Sequence, residues 1–421
     1  MGAADDVVTS RPARHAGSPG RPVVKTTVGI VGAGPAGLLI ANLLLQRGID
    51  CVVVDKFTRE QVYARARAGF VEWRNRLLLE EVGLAERMLR EGIAHGHCEF
   101  RAFGHSFIVD YAALTGGRVH WVYPQHELVD DMAAAFVGAG GDLRGGMSCI
   151  AVLDHEQPVV VCRDEAGAEL ELRCRLLAGC DGFHGPVRAS LPAGALEAFP
   201  TDHPFQWIAF LVEAPPSSDH VVYALHEDGY AAHMQRSSTL CRYYLQCPIG
   251  DTAEDWPDER VWPALGTRLA SDGFELVEGP ISERTPVQLR SVVFEPMQYR
   301  NTFLVGDAAH IITPSGGKGM NIALRDALAF VELAERSLGG ERAALDEYSA
   351  RRLPDVWRLQ EFSHWFLHMV QRYEPGPDSA FMQRLQRARL RALEHSPELA
   401  RYFAAAYVGV ESEADGLAAP R

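Results

Sequence analysis

Lysine is scarce in this sequence of 421 residues, which contains only Lys25, Lys56 and Lys318. Lys and Arg together number 41 against 55 Asp and Glu, so the formal net charge at pH 7 is −14. A chain of this charge repels phosphate backbones, which argues against nucleic-acid binding through a broad basic surface. No apolar run approaches the roughly 20 residues that a helix needs to span a bilayer. We therefore expect neither a nucleic-acid partner nor a membrane span.

Closely spaced cysteines are also lacking, because none of the eight cysteines lies in a C-x-x-C pair and several occur within apolar runs. This pattern predicts reduced, mostly buried thiols in a cytoplasmic protein, and it argues against a disulfide framework or a zinc site. The first residues lack the apolar central segment of a signal peptide and are rich in Gly, Pro, Ser and charge. We expect residues 1–24 to be a disordered extension.

The chain then begins a strand, a glycine-rich turn and a helix. The apolar segment 26–31 leads into GAGPAG at 32–37, a helical stretch to Leu45 and a second apolar strand that ends at Asp55. In a dinucleotide-binding unit the three glycines permit a tight turn, approach to a pyrophosphate and close packing of helix on strand, while the acidic residue accepts from a ribose hydroxyl. The motif alone leaves FAD, NAD(P) and a simple glycine-rich turn open.

The rest of the chain alternates between α/β and β patterns. Short apolar strands at 176–180 and 302–305 each run into a Gly/Asp-rich turn, and four segments between them read as antiparallel strands. Those four segments are 205–213, 221–225, 230–236 and 242–247. Helical patterns follow at 319–335, 356–370 and 384–394. The sequence predicts an α/β protein in which a mostly antiparallel β insert interrupts a Rossmann-like domain and C-terminal helices follow.

Three further loops carry a family resemblance: AGCDGFHGPVR at 178–188, FLVGDAAH at 303–310 and PSGGKGMN at 314–321. Together with the first glycine loop they resemble the single-component FAD-dependent aromatic hydroxylases. Runs outside these loops, from RARAG at 65–69 to YVG at 407–409, resemble one branch, the 4-hydroxybenzoate 3-hydroxylase family. The resemblance implies bound FAD, NADPH or NADH as co-substrate, O₂, a small aromatic acid as substrate, and a homodimer.

Besides the extension at 1–24, the resemblance divides the chain into three parts. We expect an FAD-binding domain from 25–94, 121–201 and 290–350, and a substrate-binding β domain from 95–120 and 202–289. Residues 351–421 are expected to form a helical interface segment.

The resemblance also assigns cofactor residues. The FAD residues it implies are Gly32, Gly34, Pro35, Ala36, Gly37, Asp55, Lys56, Arg65, Arg67, Gln125, Asp181, Arg242, Asp307, Gly317, Lys318, Gly319, Met320 and Asn321. Those implied for NAD(P)H are Arg67, His184, Arg188 and Arg290. Chemically, Asp307 suits ribityl hydroxyls, and backbone N–H groups of 317–321 at a helix start suit an electron-rich flavin edge. Lys318 could instead be a solvated loop charge. Gln61 stands where NADPH-preferring relatives have tyrosine, so the choice of coenzyme stays open.

The chemistry of such a hydroxylase is an attack by a phenolate on a hydroperoxide that reduced flavin and O₂ form at flavin C4a. The site must remove the phenolic proton, orient the ring and exclude water. The resemblance implies a proton path through Tyr223 and Tyr407 to His95, with the Pro314 carbonyl polarising the phenol. The residues that it implies for binding the substrate carboxylate and lining the ring pocket are Arg236, Tyr244, Met234 and Ala232.

Two pocket residues depart from the family. Met234 stands where the family usually has a serine that donates to the carboxylate, and Ala232 stands where it has a leucine. Loss of a charge-assisted hydrogen bond costs about 1.5–3 kcal/mol, or roughly ten- to a hundredfold in affinity. We therefore expect a substituted 4-hydroxybenzoate, such as 3-amino-4-hydroxybenzoate. Alternatives are 4-hydroxybenzoate itself, decarboxylative hydroxylation, or a flavin protein that only sequesters a ligand.

One histidine pair suggests a metal ligand set but is better explained without one. His364 and His368 lie four residues apart in a helical segment, as two metal ligands would. No H-E-x-x-H glutamate accompanies them, and aromatic residues surround them. We predict packing or interface histidines and no metal.

Overall fold

The computed structural model describes residues 21–64 and 69–409. Most of the extension predicted at 1–24, and the two cofactor candidates Arg65 and Arg67, lie outside these residues.

The described residues form strands that we number in chain order. They are Val23–Val31 (β1), Cys51–Val54 (β2), Phe70–Val71 (β3), Ile93–His95 (β4), His97–Ala102 (β5), His105–Asp110 (β6), His120–Val122 (β7), Asp142–Arg144 (β8), Met147–Val152 (β9), Val159–Asp164 (β10), Glu169–Gly179 (β11), Glu197–Val212 (β12), Val221–His226 (β13), Gly229–Gln235 (β14), Cys241–Cys247 (β15), Ile281–Glu295 (β16), Gln298–Tyr299 (β17), Thr302–Leu304 (β18) and His310–Ile311 (β19).

The helices of the same residues are numbered likewise. They are Pro35–Gln46 (α1), Arg59–Tyr63 (α2), Trp73–Glu81 (α3), Glu86–Glu91 (α4), Tyr111–Leu114 (α5), Gln125–Gly138 (α6), Pro186–Ala189 (α7), Asp258–Arg268 (α8), Lys318–Leu338 (α9), Glu347–Val370 (α10), Ser379–His395 (α11) and Pro397–Val408 (α12). Single 3₁₀ turns occur at Gly306–Ala308 and Arg342–Asp346.

The first sheet has the parallel order β18-β11-β1-β2-β8, with β17 antiparallel beside β18 and the hairpin β9–β10 beside β11. Its central strands are buried, which explains their continuous apolar runs. Val31, Gly179 and Leu304 lie in register at the carboxyl ends of β1, β11 and β18. Three of the loops singled out in the sequence therefore leave the same sheet edge, where α/β proteins bind ligands.

The second sheet has the order β19-β16-β12-β15-β14-β13-β5-β6 and is antiparallel except where β13 pairs with β5. Short strands β3, β7 and β4 form a third sheet. In the sequence these strands lie between β2 and β8 of the first sheet. The long strands β12 and β16 are each continuous across an expected domain boundary, at residues 202 and 290. The division into domains stays a prediction.

Helices α10 to α12 close the molecule beside the second sheet, and their apolar residues share a core cluster with β5, β13 and β14. Among the described residues, no helix combines the length and apolarity that a bilayer crossing needs. All eight cysteines are free thiols and none is exposed.

The predicted α/β class is confirmed. The four predicted antiparallel strands and the three predicted helical segments are all present, although β12 begins at Glu197, earlier than expected.

Candidate active site

A cleft at the edge of the first sheet brings together many of the residues predicted to hold a dinucleotide. Its lining residues include Gly32, Gly34, Pro35, Asp55, Lys56, Gln125, Asp181 and His184. The cleft is open to solvent and its empty volume is about 1100 Å³. Residues that are far apart in sequence, on β1, β2, α6 and the loop after β11, thus meet on one surface.

The first glycine loop has the geometry that its sequence predicts. Gly32 has a φ of +108°, and a Cβ there would lie 2.3 Å from the carbonyl oxygen of Cys180. A Cβ on Gly37 would lie 1.9 Å from the Gly32 oxygen, so helix and turn are in direct contact. Gly34 caps α1 and faces open space. The start of α1 is therefore accessible to a pyrophosphate. Pro35 and Ala36 form its first turn.

The two carboxylates that line this cleft, Asp55 and Asp181, differ in their hydrogen bonds. Asp55 accepts from the backbone N–H groups of Ala33 (2.6 Å) and Phe57 (2.8 Å). Asp181 accepts from Val187 N–H at 2.8 Å through Oδ2, while its buried Oδ1 has no hydrogen-bond partner within residues 21–64 and 69–409. Burial raises the pKa of Asp181 to about 6. An orphaned acceptor beside an open helix start fits a hydroxyl-rich, phosphate-bearing cofactor such as FAD.

The turn that carries Asp307 rests on a buried ionic cluster that the sequence did not reveal. Asp326 accepts from Gly306 N–H at 3.1 Å and contacts His310 Nε2 at 2.7 Å and Arg352 Nε at 2.8 Å. Burial opposes its ionisation, but His310 and Arg352 hold the pKa of Asp326 below its usual value. The cluster fixes the turn and leaves Asp307 exposed at its tip.

Lys318 is not the solvated loop charge that the sequence left open. Its ammonium is fully buried and donates to Glu72 Oε1 at 2.6 Å and to the carbonyl oxygens of Ala406 at 2.8 Å and Tyr407 at 2.7 Å. Burial lowers its pKa, and Glu72 opposes that shift. Only the backbone of Lys318 is therefore available to a cofactor. The position of Glu72 also explains why residue 409 is glycine, because a Cβ at Gly409 would lie 2.0 Å from Glu72 Oε2.

The side chain of Asn321 is likewise committed to the protein. It donates to the carbonyl oxygens of Phe70 (2.7 Å) and Gly317 (2.8 Å) and accepts from Glu72 N–H (2.9 Å) and Asn75 (2.8 Å). Gly319 and Met320 are half-buried in the first turn of α9. The start of α9 is thus held rigidly, with its backbone N–H groups as the donors left for a ligand.

The substrate candidates occupy one face of the second sheet. Tyr223, Ala232 and Tyr244 are directly paired across β13, β14 and β15, so their side chains share a face. Met234 is two residues further along the same face and pairs with Arg242. His233 points to the other face, where its neighbours Val222 and Tyr243 belong to a separate core cluster.

Arg236 follows β14 by one residue and turns the chain back through an N–H bond to the Leu240 carbonyl at 2.8 Å. Its side chain is buried, and this burial lowers the pKa of Arg236 to about 10. Arg242 is buried too and contacts Glu283 at 3.4 Å. A buried guanidinium with a depressed pKa is a strong anion-binding group, because an incoming carboxylate offsets its desolvation.

Tyr223 and Tyr407 form the expected pair, with hydroxyl oxygens 2.7 Å apart. Both are fully buried, and burial raises the pKa of each hydroxyl well above its usual value. The pair can therefore pass a proton without holding charge. Pro314 is exposed, and its carbonyl oxygen accepts from Gly317 N–H at 3.0 Å.

His95 and an unpredicted histidine lie beyond this pair. His95 is buried with no partner on Nε2, and no described hydrogen bond joins it to either tyrosine. Burial lowers the pKa of His95. Its neighbour across β4 and β7 is His120, which is fully buried and has its ring 4.8 Å from the Tyr407 ring. His120 was not predicted, because a single histidine in a short apolar strand has no recognisable sequence pattern.

The remaining NAD(P)H candidates surround Phe183. The guanidinium groups of Arg188 and Arg290 lie 4.9 and 4.8 Å from the centre of its ring. Arg188 also donates to the Ala308 carbonyl at 2.7 Å, which ties the loop after β11 to the Asp307 turn. His184 is exposed beside them. Two cations and an imidazole are thus grouped at the mouth of the cleft.

Comparison with known proteins identifies the family of this chain. A family model described as "FAD binding domain" matches residues 25–363. Over 397 residues the chain is 36% identical to p-hydroxybenzoate hydroxylase of Acinetobacter baylyi, covering 94% of this chain and 98% of that protein. The chain belongs to the p-hydroxybenzoate hydroxylase family. It is an FAD-dependent aromatic hydroxylase, a class A flavoprotein monooxygenase that uses NAD(P)H as co-substrate, and the predicted family is confirmed.

More distant relatives of the hydroxylase share its fold. Pentachlorophenol 4-monooxygenase of Sphingobium chlorophenolicum is 24% identical over 364 residues, which is 82% of this chain and 65% of that protein. The structure of p-nitrophenol 4-monooxygenase from Pseudomonas putida DLL-E4 superposes with a TM-score of 0.78 at 18% identity, covering 93% of this chain and 99% of that one. The superposition shows that the hydroxylase shares the fold of that structure.

Proposed function

We propose that this hydroxylase acts on a 4-hydroxybenzoate that carries a further ring substituent, with 3-amino-4-hydroxybenzoate as the example. FAD, once bound and reduced by NAD(P)H, supplies an electrophilic oxygen atom derived from O₂. The overall reaction converts the aromatic C–H, O₂, NAD(P)H and a proton into the phenol, NAD(P)⁺ and water.

In this proposal the cleft holds FAD through residues already described. The start of α1 and Asp55 hold the ADP half, and Asp181 accepts from a hydroxyl. Asp307 holds the ribityl chain, and the backbone of residues 317–321 faces the flavin edge. Arg188, Arg290 and His184 receive the phosphates of NAD(P)H as a local cationic group on an acidic protein.

The row Tyr223–Ala232–Tyr244 is the observation that carries the substrate assignment. Ala232 is fully buried between two tyrosines on the substrate face, and its methyl group takes up less volume than the leucine that the family has there. Met234, next on that face, has no hydrogen-bond donor for a carboxylate. The pocket therefore favours a 4-hydroxybenzoate with an added ring substituent over the unsubstituted acid.

Arg236 binds the carboxylate of the substrate. A guanidinium and a carboxylate form two parallel hydrogen bonds, which fix the direction of the ring as well as holding it. The buried position of Arg236 keeps water away from this pair. This use of Arg236 disfavours decarboxylative hydroxylation, in which the clamped group would leave.

The phenolic proton leaves through Tyr223 and Tyr407. Tyr223 accepts the proton as it donates its own to Tyr407, and neither side chain needs to ionise. His95 is the next acceptor, and a water molecule or a small rotation must bridge the remaining gap. Because burial lowers the pKa of His95, it stays neutral at pH 7 and can take up the proton only transiently.

The decisive experiment compares four proteins, the wild type and the Met234→Ser, Ala232→Leu and double variants, on 4-hydroxybenzoate and 3-amino-4-hydroxybenzoate. We expect the wild type to prefer 3-amino-4-hydroxybenzoate, with product formation coupled to NAD(P)H oxidation. Met234→Ser should improve binding of 4-hydroxybenzoate by roughly ten- to a hundredfold. Ala232→Leu should selectively weaken binding of the amino-substituted acid. A clear preference of the wild type for 4-hydroxybenzoate would defeat the assignment.

The product also reports where oxygen enters. An amino group activates its ortho carbon, so oxygen can be inserted beside the nitrogen or beside the phenol. Nuclear magnetic resonance of the product separates these two isomers. Relative rates with NADH and NADPH determine the coenzyme, and sedimentation equilibrium tests the expected homodimer. The cytoplasmic location stays a prediction.

A further inference from the structure

Three histidines converge beside α10, and none of the three is among the residues that line the FAD cleft. His364 and His368 lie one turn apart on α10, and His203 comes from the interruption in the β12–β16 pairing between Asp202 and Gln206. One ring nitrogen from each lies within 4.8 Å of the others. The ring centres are 4.1 Å apart for His364 and His368, and 5.5 and 5.7 Å from His203 to each.

Hydrogen bonds orient two of these rings. The Nε2 atom of His203 contacts Ser291 Oγ at 3.1 Å, and the Nδ1 atom of His368 contacts the hydroxyl of Tyr373. The opposite nitrogen of each ring takes no part in these bonds, and Nε2 of His368 is buried with no hydrogen-bond partner among the described residues. Histidines that ligate metals have this arrangement, in which the second ring nitrogen is held by a polar group.

The sequence predicts that His364 and His368 bind no metal, but the fold adds His203 as a third member of the cluster. We propose that the three histidines bind a divalent transition-metal ion of the zinc class, with water as the fourth ligand. Tetrahedral zinc takes imidazole nitrogens at about 2.0–2.1 Å, so the three nitrogens must approach to about 3.3 Å from one another. This closure requires the imidazole rings to rotate when the ion binds, and His364 is the exposed ring of the three. No carboxylate belongs to the set, which disfavours calcium and magnesium.

The metal would fasten the second sheet to α10. The other flank of the same helix carries Phe366, whose ring lies 4.8 Å from that of Tyr223. No residue of the proposed FAD or substrate sites belongs to the histidine cluster. The site is therefore structural, and it would support the helix behind the tyrosine pair from outside.

The test uses tag-free, FAD-loaded hydroxylase that has been treated with a chelator and desalted. Isothermal titration with Zn²⁺ should give one site per chain. His364→Ala should weaken that binding at least tenfold, and because His364 is exposed this variant should fold normally. Tyr373→Phe removes only the orienting hydroxyl and should weaken binding by about ten- to a hundredfold. His395→Ala, an exposed histidine outside the cluster, is the matched control and should bind as wild type does.

A second readout is thermal stability. Saturating Zn²⁺ should raise the melting temperature of wild type and His395→Ala, but not that of His364→Ala, because a ligand that binds only the folded state stabilises it. The proposal is overturned if wild type binds Zn²⁺ no more tightly than about 1 mM. It is also overturned if His364→Ala and Tyr373→Phe bind Zn²⁺ as tightly as His395→Ala does.

Discussion

At the scale of single residues, the hydroxyl of Tyr407 is the most specific element of the proton path. Tyr407→Phe removes the 2.7 Å hydrogen bond to Tyr223 and leaves the rings packed. Proton removal by a positioned group contributes roughly 10²–10⁴ in rate, so we expect kcat at pH 7 to fall by about a hundredfold. The loss should shrink at higher pH, where the phenol ionises without help.

The measurement is kcat between pH 6 and pH 9 with product analysis. Tyr243→Phe is the matched control, because Tyr243 is also buried and hydrogen-bonded but lies on the other face of the same sheet. Equal losses in both variants at every pH would show that packing, and not proton transfer, is responsible.

Arg236 gives a second prediction at this scale. Arg236→Lys keeps the charge but loses the planar pair of donors, so the substrate Kd should rise by roughly ten- to a hundredfold. Perturbation of the flavin absorbance on titration with substrate reports this Kd. Arg268→Lys, at a half-buried arginine that ends α8, should leave it unchanged. An unaltered Kd in Arg236→Lys would place the carboxylate elsewhere.

At the scale of elements, the Lys318–Glu72 pair joins the starts of α9 and α3 to the end of α12. Lys318→Met leaves a buried carboxylate uncompensated, which should lower the free energy of unfolding by about 3–5 kcal/mol. The double variant Lys318→Met, Glu72→Gln should recover part of this loss. Urea unfolding measures both.

The control is an exposed set of ion pairs whose arginine, Arg336, lies on α9 as Lys318 does. Arg336→Met breaks surface contacts with Glu341 and Glu347 and should cost no more than about 1 kcal/mol. If Lys318→Met were no more destabilising than Arg336→Met, the buried pair would not hold these elements together.

The elements also show what a sequence can and cannot reveal. The resemblance implied that Ala232 and Met234 line one substrate pocket, and the register of β14 and β15 puts both residues on the face that carries Tyr244. The partners of Lys318 were not predictable, because Glu72 and the carbonyl oxygens of α12 are far from it in sequence. Backbone carbonyls have no sequence signature, so a lysine that binds them looks like any loop lysine.

At the scale of the whole molecule, buried histidines predict how stability depends on pH. Burial lowers the pKa values of His95, His120 and His233, to about 4 for His233. These rings stay neutral in the folded protein but take up protons in the unfolded chain below about pH 6.5. The free energy of unfolding should therefore be greatest above pH 6.5 and fall as the pH decreases toward 5.5.

Urea unfolding at pH 7.5, 6.5 and 5.5 tests this slope. His233→Asn should reduce it by up to about 1.4 kcal/mol per pH unit, because one such ring no longer titrates. The exposed His395→Asn should leave the slope unchanged. Stability that is constant or rises on acidification would contradict the prediction.

The global fold was more accessible to sequence reasoning than the long-range contacts of the site. The apolar runs and glycine loops predicted which strands end at the cofactor edge, and Val31, Gly179 and Leu304 do end there together. The clusters around Asp326 and His203 depend on residues brought together by tertiary packing alone. His203 lies in a break in a strand pairing, and no local pattern marks it as a neighbour of α10.

The central claim is that the hydroxylase inserts oxygen from O₂ into a substituted 4-hydroxybenzoate held between Arg236 and the tyrosine pair. Its most direct test is turnover of 3-amino-4-hydroxybenzoate under ¹⁸O₂ with mass analysis of the product. We predict one ¹⁸O atom per product molecule, an intact carboxylate, and nearly one product per NAD(P)H oxidised. Oxidation of NAD(P)H without labelled product, or release of CO₂, would contradict the account.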